Sequence, residues 1–87
     1  MIQLIEVVKN TRSYELREVF VNPRHVVMLR EDHATRSAIN EGKVIEGMDP
    51  RQQYTRITVD NGTTGSQFVV VGSPGIVESK LKSGRQL

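Results

Sequence analysis

The sequence predicts a mainly β protein: a five-stranded, strongly bent sheet or small barrel with a short C-terminal helix. Three observations carry that expectation. β-Branched and aromatic residues recur in five short runs, Asn, Pro and Gly bound those runs, and Ser73-Pro74 opens a closing amphipathic stretch. At 87 residues there is room for one domain, 1–87, with residues 31–52 as an inserted loop or short helix and 83–87 as a frayed tail. A domain of this size buries only about 60% of its unfolded surface, so self-association is a common way to cover what remains.

Each element has its own reason. Met1 to Lys9 opens apolar/polar/apolar (Ile2, Gln3, Leu4) and ends near Val7-Val8, the pattern of a strand with one buried face. Asn10 to Ser13 is polar and suits a hairpin connection. Tyr14 to Val21 is the second strand and stops at Asn22-Pro23, because proline cannot donate to a sheet ladder. After a tight turn, His25 to Arg30 forms the third.

Glu31 to Arg51 breaks the pattern with scattered apolar residues and many charges. Asp32 can cap a short helix over His33 to Glu41, ended by Gly42, with Ala34, Ala38 and Ile39 as a thin apolar stripe. A long loop is the competing reading. Tyr54 to Val59 and Gln67 to Val71 then flank Asn61-Gly62, the strongest short-range hairpin signal, since both residues accept positive φ. Ile57 and Val59 share one face of the first of these strands, and Tyr54, Arg56 and Thr58 the other. Phe68 to Val71 is apolar on both faces and so belongs in the centre of a sheet or under cover. Ser73 caps the last helix, Pro74 suits its first position, and Ile76, Val77 and Leu81 supply its apolar side up to Gly84. That helix is expected over an open end or edge of the sheet.

Phe20-Val21-Asn22-Pro23-Arg24-His25-Val26-Val27-Met28-Leu29 resembles the signature turn of the small FlbD proteins of flagellar operons. The opening Met-Ile strand, the Thr58 to Gly62 hairpin, the apolar Phe68 to Val71 strand and the Ile76 to Leu81 helix follow in the same order. The resemblance implies a small β-rich protein linked to motility, and the hairpin is more distantly similar to LytTR-type DNA-binding domains. The longer first hairpin and the insertion at Glu31 to Arg51 depart from the FlbD pattern.

Composition narrows the functional classes. The absence of cysteine rules out disulfides, thiol catalysis and thiolate zinc sites. No apolar run approaches the roughly 18 residues of a membrane span, and the N-terminus lacks a signal-peptide pattern, so a cytoplasmic protein is expected. His25 and His33, with Glu31 and Asp32, supply at most half of a zinc site, so no metal or other cofactor is expected. The ten carboxylates are dispersed, Gly72-Ser73-Pro74-Gly75 has the wrong spacing for a serine elbow, and Gly62 to Gly65 is too short to grip phosphate. Catalysis is not expected.

What remains is surface. The leading expectation is a non-enzymatic interaction or regulatory module, a homo-oligomer that presents a sheet face or edge to an unknown protein partner. Its candidate contact residues are Ala34, Ile39, Val44, Ile45 and Met48 in the insertion, and Met1 to Val8 is the strand expected to pair with a second subunit. The alternative is a small nucleic-acid-binding regulator. Eight of the twelve cations are arginine, and Arg17, Arg24, Arg30 and Arg56 are its candidate phosphate contacts. Glu15 should lie beside Arg17 on the same strand face, as an ion pair would.

Overall fold

A computed structural model of the chain describes residues 1–11, 13–41, 49, 51–60 and 65–85, with Gly84 and Arg85 described by backbone alone. Five strands form one antiparallel sheet: β1 (Ile2–Lys9), β2 (Tyr14–Val21), β3 (Val26–Glu31), β4 (Tyr54–Asp60) and β5 (Gly65–Val71). Their spatial order is β2-β1-β5-β4-β3. Helix α1 (His33–Asn40) follows β3 and helix α2 (Pro74–Arg85) follows β5. A 3₁₀ turn at Pro23–His25 links β2 to β3, with Asn22 as its cap accepting from the Arg24 N–H.

The strand period of two sends successive side chains to opposite faces, and both faces are covered. On one, Leu4 of β1, Val21 of β2, Ile57 of β4 and Val70 of β5 pack against Val77 and Leu81 of α2. On the other, Val7, Tyr54 and Val69 pack beneath Ile39 of α1. Adjacent Val69 and Val70 are therefore both buried, which is why β5 reads apolar throughout and lies in the middle. Fully burying a side chain such as Ile57 or Leu81 contributes roughly 1.5–3 kcal/mol.

The start of β4 pins both helices. Asp32 N–H donates to the Tyr54 carbonyl at 2.9 Å, and Gly72 N–H to the Gln53 carbonyl at 2.9 Å. The Thr55 hydroxyl, wholly buried, donates to the Gly72 carbonyl at 2.8 Å. Gly72 has φ of 120°, in which an L side chain is strained, and a Cβ there would lie 3.5 Å from Val77 Cγ2. Ser73 then caps α2 by accepting from the Ile76 N–H at 3.3 Å.

Several expectations change. The sheet is open, so the bent-sheet form stands and the barrel does not. β1 is interior, not an outer strand, because its Glu6 and Val7 pair with Val70 and Val69 of β5. That seam is short, whereas β1 and β2 pair over all of Ile2 to Lys9. Helix α2 lies on a face of the sheet, because Val77 and Leu81 are needed to fill the core there. It also runs through Gly84 to Arg85, so residues 83–85 are helical, and 86 and 87 lie outside the described residues. Glycine weakens a helix but stops it only where the backbone turns left-handed. Helix α1 forms with Asp32 as its cap and Glu41 at its end; the expected stop at Gly42 and the Asn61-Gly62 turn are outside the described residues. No helix among the described residues is long and apolar enough to cross a membrane.

Candidate functional site

The two outer strands are β2 and β3. Antiparallel ladders alternate between residue pairs that exchange hydrogen bonds and pairs that do not. Asn10 N–H donates to the Ser13 carbonyl at 2.7 Å, which places Val8/Glu15, Glu6/Arg17 and Leu4/Val19 in bonded pairs. The peptide groups of Tyr14, Leu16, Glu18 and Phe20 therefore point away from β1. Among the described residues no strand lies on that side to receive them. The edge is eight residues long and carries neither proline nor a bulge.

Its side chains divide by face. Leu16 and Phe20 project from the α1 face, 41% and 59% exposed, with Ile5 on the same face of β1. Glu15 and Arg17 project from the α2 face and form the expected ion pair at 2.6 Å. Asn10 donates to Glu15 at 3.0 Å, and that hydrogen bond, together with Arg17, lowers the Glu15 pKa from its ordinary value. An exposed pair of this kind adds little stability, but it sets where charge sits along the edge.

The opposite edge, β3, is shorter and irregular. Its register with β4 shifts between Val26 and Met28, leaving Val27 in a bulge and 63% exposed. A bulge twists an edge away from flat pairing. The 3₁₀ turn before β3 and β3 itself also contact α2.

Between α1 and the sheet runs a cleft of about 410 Å³. Val7 and Val69 are among the sheet residues lining it, Ala34 and Ala38 line it from α1, and Lys9, Tyr14 and Arg56 supply its polar rim. Arg56 donates to the buried Asp32 carboxylate at 3.1 Å, and Thr35 donates to the same group through both its N–H (3.1 Å) and its hydroxyl (2.8 Å). Burial raises the Asp32 pKa, but the Thr35 hydrogen bonds and the Arg56 guanidinium outweigh it and hold the carboxyl below the ordinary aspartate range. Arg30 stands directly opposite Arg56 across β3 and β4. Two like charges so placed repel, and Asp32 offsets one of them.

No family model, no curated protein and no solved structure matches this chain.

The structure distributes the sequence candidates unevenly. Of the partner-contact set, Ala34 is exposed at the cleft, whereas Ile39 is buried at 6% and belongs to the core, because α1 needs one large apolar residue to seat on Val7 and Tyr54. Val44, Ile45 and Met48 lie outside the described residues. Of the arginines, Arg30 and Arg56 come together on the α1 face, Arg17 points from the other face toward Glu15, and Arg24 sits in the 3₁₀ turn. They do not make one patch. Sequence reasoning passed over Leu16 and Lys9. The available signal was the alternation Glu15-Leu16-Arg17-Glu18, with charges on both faces of a strand and so a solvated border.

The two histidines are separate. His25 Nδ1 lies 3.0 Å from the Asp60 carbonyl, and His33 Nε2 lies 3.5 Å from Glu31. Among the described residues no three His, Cys, Asp or Glu side chains are grouped to hold a metal ion.

Proposed function

We propose that this protein is a non-enzymatic interaction module that docks a partner strand along β2. The supporting observation is the edge itself: a long, bulge-free, proline-free border with outward peptide groups at Tyr14, Leu16, Glu18 and Phe20. Main-chain hydrogen bonds would supply the attachment, and exposed Leu16 and Phe20 would supply apolar contact on one face. Bulged β3 lacks this regularity.

Photo-crosslinking in the cells that make the protein tests the reading. A photoreactive residue at Leu16 or Phe20 is expected to give adducts, while one at exposed Ile76 on α2 is expected to give none. Adducts at Ile76 with none along β2 would overturn it.

A second reading rests on Arg30 facing Arg56 across β3 and β4, with Lys9 lining the cleft that Arg56 also lines. A small nucleic-acid-binding regulator would use that face for phosphate contact. Filter binding across a salt series decides: affinity falling steeply with salt supports this reading, and no binding at about 50 mM removes it.

A further inference from the structure

We infer that the strand received by β2 is β2 of a second copy, paired antiparallel about a two-fold axis through Leu16. This rests on the reading of β2 as the docking edge and goes further by naming the occupant and its register.

Two constraints select the register. In an antiparallel ladder, residues directly opposite project to the same face, so the axis must pass through a residue, not between two. An isologous interface then places that residue opposite its own copy. Centring on Glu15, Arg17 or Glu18 would set a charge against its twin, which is unfavourable. Centring on Leu16 sets leucine against leucine and places Glu15 of each copy opposite Arg17 of the other. Tyr14 then faces Glu18.

The hydrogen-bond phase agrees. Leu16 has its peptide groups turned outward, as do Tyr14 and Glu18, so Leu16–Leu16 and Tyr14–Glu18 become the bonded pairs. Glu15 and Arg17 fall at the non-bonded pair, where side chains approach more closely. Each copy already holds Glu15 and Arg17 at 2.6 Å, so pairing joins two ion pairs into a four-charge cluster. The exposed Leu16 side chains meet on the opposite face. Centring on Val19 or Phe20 would avoid a clash of like charges but form no opposite-charge pair.

The test uses the full chain and three kinds of variant. Light scattering should give about twice the 9.8 kDa chain mass for the natural protein. Arg17→Glu alone, or Glu15→Arg alone, makes both cross-pairs repulsive and should weaken the dimer about tenfold or more. Mixing the two single variants should restore it as a heterodimer, because each then offers the charge that the other lacks. The chain has no cysteine, so Leu16→Cys gives a clean probe. Bonded antiparallel pairs stand about 5.5 Å apart at Cα, within disulfide reach, so this variant should oxidise to a covalent dimer while Ile76→Cys should not. Circular dichroism checks that each variant is folded.

A natural protein that stays monomeric at high concentration overturns the second-copy inference, while crosslinks from Leu16 to some other protein would leave the docking edge standing. A dimer indifferent to both charge variants and uncrosslinked by Leu16→Cys overturns the register. If photo-crosslinks also avoid β2, the docking edge falls with it.

Discussion

The two edges of one sheet differ in how they are held. β3 is six residues long, bulged at Val27, in contact with α2, and closed by Asp32, whose carboxylate caps α1 and binds Arg56. β2 is eight residues long and free of bulges, and within the sheet only β1 grips it. Natural sheets blunt their borders by bulges, cover or charge. β3 has the first two. β2 has only charge, in a self-complementary order, and that arrangement keeps a border soluble while leaving it pairable.

Proline substitution draws the sharpest contrast. Arg17→Pro removes an N–H that the ladder phase directs at Glu6, and it should cost on the order of 3 kcal/mol in a urea melt. Leu16→Pro, one residue earlier, removes an N–H that points outward; the chain should remain folded and lose self-association. Equal damage from both would show that the phase assigned to β2 is wrong.

Gly72→Ala tests the pin that ties α2 to the β3-β4-β5 half. It forces a side chain into positive φ and should destabilise by about 2 kcal/mol in denaturant melts, without weakening the proposed self-association through β2. Asp32→Ala, at the end of β3, should cost about 1–2 kcal/mol through the lost helix cap. The pH dependence follows the same residue. A carboxyl lowered in the folded state stabilises above its unfolded pKa, about 3.9, and that contribution is lost as pH falls through the folded value. Asp32→Asn should flatten the loss of stability of the natural protein between pH 5 and pH 3, read as urea midpoints. The smallest effect is expected at Val27→Lys. In an exposed bulge it should change stability by less than about 0.5 kcal/mol and leave the oligomeric state untouched, whereas Leu16→Lys should abolish it.

Local chemistry made much of the fold legible. Asn22-Pro23 ended β2 because proline lacks a donor, Asp32 marked the start of α1 through its side-chain oxygens, and Ser73-Pro74 marked α2. Phe68 to Val71 announced a central strand by being apolar on both faces. The site was harder to see. Ile39 has the exposed-looking context of a polar helix, yet it is the residue that seats α1. Arg17 and Arg56 look alike in the sequence, yet one lies on each face.

By itself, then, the sequence determined which stretches become strands, where α1 and α2 begin, and the Glu15-Leu16-Arg17 order on which self-pairing would depend, because caps, turns and alternation act over a few neighbouring residues. The tertiary structure decided which strands became borders. Glu6 and Val7 meet Val70 and Val69 across more than sixty intervening residues, and no local preference specifies such a meeting. That one seam makes β1 interior and leaves β2 as a border of the sheet, the edge for which docking is proposed.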